Sequence, residues 1–188
     1  MKYILASKSP RRRELLGSII CDFEIITRDV DETLPKDMHP RAGVELLALR
    51  KGEAVAREYP DAVVISSDTL VELSGVPLGK PRDRADAIEM LTSLSGKAHN
   101  VHTGVAVHYK GKSYSGVAST AVYFREMSLD EIEEYVDSGD SMDKAGSYGI
   151  QSGGGKFVER IEGDFDTVVG LSVSLTKKLI CEAENDKG

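Results

Sequence analysis

The sequence predicts an α/β or α+β fold built on a mixed β-sheet. In the first half of the chain, short apolar runs alternate with amphipathic helical patterns. In the second half, strand patterns follow one another as a meander before a closing helix. The 188 residues are enough for one compact domain or two closely packed lobes, and neither a repeat nor a clean linker divides them.

The N-terminal segment predicts a strand followed by a capped helix. The apolar run at 3–6 is typical of a short buried strand. Ser9 and Pro10 match the cap and the first position of a helix. Residues 23–27 then predict a second strand, and the acidic segment 29–39 predicts a polar loop.

The longest helical pattern covers residues 40–59, and Lys51 falls on its apolar side. Residues 62–66 predict an apolar strand, β-branched in its middle, which ends at Ser67-Asp68-Thr69. A turn is indicated at Ser74-Gly75.

The remaining elements are predicted from periodicity, capping residues and turn residues. They are a helix at 85–94, a hairpin of strands 101–107 and 119–124 turning at Lys110-Gly111-Lys112, a helix from a Ser128/Glu131 capping box to about 136, an irregular glycine-rich segment at 143–156, a strand at 157–161, a helix at 171–183 and a frayed end at 184–188.

Charge and composition exclude several classes of protein. The net charge of −7 argues against non-specific binding to nucleic acid, which a basic surface favours. No signal peptide or membrane-spanning run is present, so we expect a soluble protein without a membrane partner. Cys21 and Cys181 are expected to be free, buried thiols in a reducing compartment, which indicates the cytoplasm.

A basic helix start is the first candidate site. The segment from Ser7 to Arg13 follows a strand and opens a helix, whose unpaired N–H groups and positive dipole end favour phosphate. Its hydroxyls and guanidinium groups could add charge-assisted hydrogen bonds. The alternative is a solvated basic helix start, and at helical spacing at least one of Arg11, Arg12 and Arg13 should be surface charge.

Carboxylates and lysines form a second, scattered set. Asp68 at a predicted strand end could hold a divalent metal or accept a proton, or could simply belong to a turn. Lys51 either extends to solvent or points into a polar cleft. Lys80 lies in a Gly-Lys-Pro turn that suits a positioned cation or an ordinary loop, and Glu32 lies in an acidic loop.

The glycine-rich segment 143–155 permits close approach of a ligand to the backbone, although a flexible surface loop is equally compatible. Gln151 within it can both donate to and accept from a base edge. The segment is not a Walker A loop, because Gly155-Lys156 is followed by Phe157. The four histidines lack zinc-site spacing with the cysteines, and no serine-hydrolase elbow is present.

These motifs occur in the order found in one known family. Residues 4–12 with Glu14-Leu15-Leu16 resemble the opening signature of the Maf family of nucleoside triphosphate pyrophosphatases. The further blocks are Asp31-Glu32, Lys51, Ser67-Asp68-Thr69, Gly79-Lys80-Pro81, Asp143-Lys144-Ala145-Gly146 with Tyr148-Gly149-Ile150-Gln151, and Gly163-Asp164 with Val168-Val169-Gly170-Leu171.

The resemblance implies a single domain over 1–188, with two lobes, a central cleft and a fold related to inosine triphosphate pyrophosphatases. It implies cleavage of a nucleoside triphosphate between the α and β phosphates, a divalent cation (Mg²⁺, Mn²⁺ or Co²⁺) and often a homodimer. The positions that match the family's catalytic and phosphate-binding residues are Ser7, Arg11, Glu32, Lys51, Asp68 and Lys80, with Asp68 as the proton acceptor.

The resemblance also indicates a branch of the family. Arg12, Thr69 and Gln151 match the positions that mark the branch acting on dTTP and UTP. The sequence departs from the family pattern at Ser152, where Gly is usual, at Thr167, where Asn is common, and at Ser172, where Pro is usual. These departures bear on base preference more than on the reaction.

The resulting hypothesis is hydrolysis of dTTP, UTP or modified pyrimidine nucleotides as nucleotide-pool housekeeping. Glu32 and Asp68 hold the metal, Asp68 or a neighbouring carboxylate activates water, Lys51 and Lys80 offset phosphate charge, and Gln151 and Thr69 read the base. The alternatives are a 7-methyl-GTP pyrophosphatase and a regulatory nucleotide-binding protein that inhibits septum formation and cell division through a partner.

Overall fold

The computed structural model describes residues 1–186 and shows a mixed sheet flanked by helices. Its strands are β1 (Tyr3–Leu5), β2 (Glu24–Ile25), β3 (Val63–Leu73), β4 (Val76–Leu78), β5 (Ala98–Tyr109), β6 (Lys112–Phe124) and β7 (Val158–Glu162). Its α-helices are α1 (Pro10–Gly17), α2 (Pro40–Ala56), α3 (Arg84–Leu94), α4 (Leu129–Asp137), α5 (Phe165–Val169) and α6 (Val173–Asn185). Among these described residues, no helix combines the length and apolar character that a membrane crossing requires.

The strand order is β2-β1-β3-β5-β6-β7, with β4 paired to β3 outside this path. β1 is parallel to both β2 and β3, whereas β4 runs antiparallel to β3 and β7 antiparallel to β6. The sheet is therefore mixed, which confirms the predicted class. The hairpin of β5 and β6 turns at Lys110 and Gly111, both with positive φ, as the turn residues predicted.

The chain forms two compact units. Unit 1 comprises Met1–Thr69, Thr103–Ala118 and the residues from Gly170 onward, and unit 2 comprises Leu70–His102 and Ser119–Val169. Each unit has its own apolar core. Unit 1 buries two clusters, whose fully buried members include Leu16, Ile65, Val105, Leu171 and Val55. Unit 2 buries one cluster, which includes Leu91, Leu94, Val122, Ile132 and Phe157.

Local capping signals fix the starts of α1 and α4 where the sequence predicted them. The Ser9 side chain accepts a hydrogen bond from the backbone N–H of Arg12, and Pro10 opens α1. Ser128 and Glu131 form both halves of the predicted capping box of α4. These caps use groups only three residues apart, so short-range sequence signals are sufficient to locate them.

Several predicted strands were wrong in length, and β6, for example, begins at Lys112 rather than at residue 119. β3 does not end at Ser66 but runs through Asp68 to Leu73. The strand continues because its hydroxyls find partners: Ser66 donates to the carbonyl of Ala48 at 2.6 Å, and Thr69 pairs with Thr103 at 3.0 Å. β2 has only two residues, both exposed, rather than the five predicted.

The C-terminal region and the cysteines also differ from expectation. Helix α5 was not predicted, because five residues are too few for a periodic pattern. The segment expected to fray continues as helix to Asn185, and residues 187–188 lie outside the described part of the chain. Cys21 and Cys181 are free as predicted, but both are exposed rather than buried.

Candidate active site

The start of α1 presents a polar, positively charged helix end in unit 1. The Ser7 hydroxyl oxygen accepts from the backbone N–H of Ser9 at 3.2 Å and from Nη1 of Arg12 at 3.4 Å. Ser7 is buried, so these contacts fix the turn between β1 and α1. Arg13 is exposed, in agreement with the prediction that one of the arginines is surface charge.

Arg12 is held at three points of its guanidinium group. Nε donates to the carbonyl of Gly170 at 2.8 Å, and Nη2 donates to the Thr69 hydroxyl at 3.2 Å. The third contact is the one to Ser7. Because the guanidinium group is planar and rigid, three acceptors at different edges fix its orientation as well as its position.

Several charged groups act on Arg12. Burial lowers the pKa of Arg12, and the positive charge of Arg11 acts in the same direction. The negative charges of Asp68 and Glu32 raise that pKa. Four of the predicted site residues are therefore close enough to interact electrostatically.

Lys51 lies between two carboxylates. Its Nζ is 2.5 Å from Oδ1 of Asp68 and 3.0 Å from Oε1 of Glu32. The side chains of Lys51 and Asp68 are only 18% and 15% exposed, whereas that of Glu32 is 60% exposed. Lys51 therefore does not extend into solvent, and it joins the predicted acidic residues in one charged cluster.

Close packing of α2 on β3 brings Lys51 to Asp68. A Cβ on Gly52 would lie 2.5 Å from the Ser66 hydroxyl oxygen and 2.4 Å from the ring of His108, so a larger residue could not pack here without a shift. The adjacent Arg50 donates to the carbonyls of Asp31 at 3.0 Å and Thr33 at 2.8 Å. Arg50 thus fixes the loop that carries Glu32.

Lys80 and Gln151 belong to unit 2, and both are exposed. Their segments are connected within that unit, because the backbone N–H of Gly146 donates to the carbonyl of Gly79 at 3.0 Å. The glycine-rich segment is ordered into two short 3₁₀ turns, Ala145–Ser147 and Gly153–Phe157. Gln151 lies between these turns.

Sequence reasoning did not identify the residues that support this site. The carbonyl of Gly170 accepts from Arg12 at 2.8 Å and from the Ser67 hydroxyl at 3.0 Å, so it anchors the guanidinium group to β3. Thr103 contacts Thr69, and Arg50 holds the Glu32 loop. Gly170 lay within a recognised sequence block, but a backbone carbonyl gives no residue-type signal for its partner.

The acidic residues of the cluster suit a hard divalent cation. Glu32 and Asp68 contact the same ammonium group, so their oxygens lie close together. Mg²⁺ is commonly held by one or two carboxylates together with substrate phosphates. Within residues 1–186, no group of three or more histidine, cysteine or acidic side chains could hold an ion by itself.

The sequence and the fold of this chain are both similar to those of known proteins. The sequence profile of the family described as "Maf-like protein" matches residues 2–183. The dTTP/UTP pyrophosphatase of Moorella thermoacetica is 48% identical over 181 residues, covering 95% of this chain and 93% of the relative. The dTTP/UTP pyrophosphatase of Latilactobacillus sakei is 44% identical over 178 residues, covering 95% and 98%. In fold, the Staphylococcus aureus Ham1 protein is similar, with a TM-score of 0.50 and 18% identity over 66% of this chain and 72% of that one.

Proposed function

This chain belongs to the Maf family, and on that premise we propose that it is a nucleoside triphosphate pyrophosphatase acting on dTTP and UTP. The relatives named for that activity support the proposal, because they are 44% and 48% identical over nearly their full length. The products are the nucleoside monophosphate and pyrophosphate. We propose nucleotide-pool housekeeping as the role.

One observation of the structure carries the proposal: an ammonium group and a guanidinium group lie beside two carboxylates in unit 1. Lys51 contacts Asp68 and Glu32, and Arg12 interacts with both carboxylates through space. A site for phosphoryl chemistry needs cations to neutralise phosphate oxygens and a carboxylate to accept a proton. This cluster contains both.

The start of α1 supplies the binding part of the mechanism. Its first N–H groups, the Ser7 hydroxyl and the side chains of Arg11 and Arg12 offer donors to phosphate oxygens. Phosphate oxygens would compete with the carboxylates for Lys51. The ammonium group would then contact the substrate and offset its negative charge. We propose that Lys80 of unit 2 also binds phosphate, and that Thr69 and Gln151 read the base.

Asp68 is the proposed proton acceptor. It takes a proton from the attacking water while the water oxygen forms a bond to the α-phosphorus. The bond from that phosphorus to the oxygen bridging to the β-phosphorus breaks, and pyrophosphate leaves with the electron pair. The 2.5 Å contact with Lys51 fixes the Asp68 side chain for this role.

Glu32 and Asp68 would hold the divalent cation, Mg²⁺, Mn²⁺ or Co²⁺. Such an ion supplies neutralisation of the negative charge that develops on phosphate oxygens. The exposed Glu32 can adjust to a cation without breaking a buried contact. Asp68 is held by Lys51 and is mostly buried, so its position determines where the two carboxylates could bind a cation.

We further propose a homodimer in the cytoplasm. The family resemblance supports the dimer, and the two free, exposed thiols are suited to a reducing compartment. The net charge of −7 favours a small-molecule substrate over nucleic acid. Light scattering after gel filtration would give the oligomeric state.

The test incubates the purified protein with dTTP, UTP and 7-methyl-GTP in the presence of each cation. We expect monophosphate and pyrophosphate from dTTP and UTP. Asp68→Asn should reduce kcat about 100-fold or more, the scale of general-base catalysis. Asp61→Asn, at an exposed position, is the matched control and should keep the wild-type rate.

Each alternative has its own outcome in this experiment. Faster turnover of 7-methyl-GTP than of dTTP and UTP would assign the chain to the alternative activity, that of a 7-methyl-GTP pyrophosphatase. Binding of triphosphates without any product would favour a regulatory nucleotide-binding protein. Near-wild-type turnover by Asp68→Asn would remove Asp68 from the catalytic role.

A further inference from the structure

The segment that carries Gln151 is tied to a single carboxylate within unit 2. Oδ2 of Asp140 accepts the hydroxyl of Tyr135 at 2.7 Å and that of Ser152 at 2.5 Å. Oδ1 of Asp140 accepts Nζ of Lys144 at 3.0 Å. Asp140 therefore joins α4, the residues after it and the turn at Ser152. We call these four residues (Tyr135, Asp140, Lys144 and Ser152) the Asp140 cluster.

Lys144 belongs to this cluster rather than to a phosphate site. Its ammonium group contacts the carbonyl of Asp140 at 2.5 Å, Oδ1 of Asp140 at 3.0 Å and Oδ1 of Asp143 at 2.7 Å. An ammonium group has three N–H donors, so these contacts account for all of them. The side chain is only 10% exposed, and its charge is matched by two acidic residues.

Gln151 lies between two residues that the cluster fixes. Ser152 donates to Asp140 through its hydroxyl and to the carbonyl of Gly149 through its backbone N–H, at 3.2 Å. The backbone N–H of Gly149 donates to the Tyr135 hydroxyl at 3.1 Å. The chain is thus fixed two residues before Gln151 and one residue after it, while Gln151 itself is exposed.

Close packing leaves this turn little room to rearrange. A Cβ on Gly154 would lie 2.9 Å from both the N and the O of Gly149 and 3.0 Å from the Tyr135 hydroxyl. Burial raises the pKa of Asp140, but hydrogen bonds from Ser152, Tyr135 and Lys144 outweigh it and leave that pKa below its ordinary value. The carboxylate stays ionised at neutral pH and keeps its three donors.

We propose that Asp140 and Ser152 are positioning residues, which hold the turn so that the Gln151 amide faces the base of the substrate. This inference rests on the proposed function. An amide reads a base edge by donating and accepting at once, and both hydrogen bonds weaken steeply with angle. A loosened turn would therefore weaken base binding while leaving the chemistry at Asp68 unchanged.

The experiment compares Ser152→Ala with Ser152→Thr, which keeps the hydroxyl, and with Gln151→Ala, which removes the amide. Ser152→Ala should raise KM for dTTP and UTP about fivefold or more, as expected for losing a hydrogen bond to a charged group, with kcat within about twofold of wild type. Ser152→Thr should restore KM, and Gln151→Ala should show an equal or larger rise. Ser93→Ala, which removes a hydroxyl bonded to the Met90 carbonyl in α3, is the matched control.

Hydrogen exchange of the substrate-free protein gives a readout independent of activity. Amides of residues 149–155 should exchange faster in Ser152→Ala and not in Ser93→Ala. Faster exchange in Ser152→Ala with an unchanged KM would overturn the positioning role. Unchanged exchange in Ser152→Ala would show that the Asp140 cluster does not fix the turn. A wild-type protein that hydrolyses no triphosphate would overturn the proposed function and the positioning role together, even if the exchange difference is observed.

Discussion

At the scale of single residues, the anchoring of Arg12 distinguishes it from its neighbours. Its three contacts reach a backbone carbonyl of Gly170 and the hydroxyls of Ser7 and Thr69. No lysine could reproduce them, because an ammonium group is a compact point charge on a flexible stem. The orientation of the charge, and not only its presence, should therefore matter for substrate binding.

Arg12→Lys tests this requirement while keeping the positive charge. We expect KM for dTTP to rise about tenfold, because the planar set of N–H donors of the guanidinium group would be lost. Hydrogen bonds to charged groups contribute roughly 1.5–3 kcal/mol each. The measurement is steady-state pyrophosphate release. Arg13→Lys, one residue further along α1 and exposed, is the control and should leave KM unchanged. Equal KM values for the two variants would contradict a role that depends on the planar guanidinium group of Arg12.

The pairing of Lys51 shows what residue-level sequence reasoning can and cannot reach. Helical spacing placed Lys51 on the apolar side of α2, which left two orientations open. Its partner Asp68 is 17 positions away on β3, and the two meet because Gly52 lets the helix approach the strand closely. Periodicity reports which side of an element a residue occupies, but not which residue of another element it meets.

At the scale of elements, prediction succeeded where the signal was local and failed where pairing decided the outcome. The α4 capping box joins Ser128 and Glu131, which are only three positions apart, so the sequence pattern alone was enough to predict it. β3 was predicted too short because the polar run from Ser66 to Thr69 breaks an apolar pattern. The hydroxyls in that run are satisfied by α2, by β5 and by the carbonyl of Gly170, which no local pattern contains.

Glu131 should make the stability of the protein depend on pH. The hydrogen bond from Arg125, followed by that from the Ser128 backbone, lowers the pKa of Glu131 from 4.5 to about 2. A carboxylate whose pKa is lower in the folded state stabilises that state above its unfolded pKa. This stabilisation is lost as pH falls from 4.5 towards 2.

Glu131→Gln should therefore lower the free energy of unfolding more at pH 7 than at pH 3, because at pH 3 much of the wild-type advantage is already absent. Urea denaturation of both proteins at the two pH values gives the difference directly. Glu134→Gln, on an exposed position of the same helix, is the control. An effect of Glu131→Gln that is equal at both pH values would show that ionisation of Glu131 is not linked to folding.

At the scale of the whole molecule, the sequence predicted the class of fold but not where the chain divides into units. The alternation of elements indicated a mixed sheet, and this is what forms. No linker signal marked the units, because three of their four boundaries fall inside β3, β5 and β6, and the fourth falls in the short connection between α5 and α6. A composition change cannot indicate a boundary in the middle of a continuous strand.

The separate core of unit 2 gives a prediction for the stability of the chain. Phe157 is fully buried, and its ring packs against Tyr135 and Phe124 with centroids 5.3 and 6.1 Å away. Phe157→Ala should lower the free energy of unfolding by about 3–5 kcal/mol, the cost of removing a buried aromatic side chain and leaving a cavity. Because proteins of this kind are stable by only about 5–15 kcal/mol, the loss should be visible as a large fall in the denaturation midpoint.

Phe165→Ala provides a control with the same change of side chain. Phe165 lies in α5 of the same unit but is 47% exposed, so its loss should change the free energy of unfolding by much less than that of Phe157. Urea denaturation followed by circular dichroism would measure both variants against wild type. Similar midpoints for the two variants would mean that the cluster around Phe157 does not supply the main apolar stabilisation of unit 2, and that the stabilisation is spread over the partly exposed side chains as well.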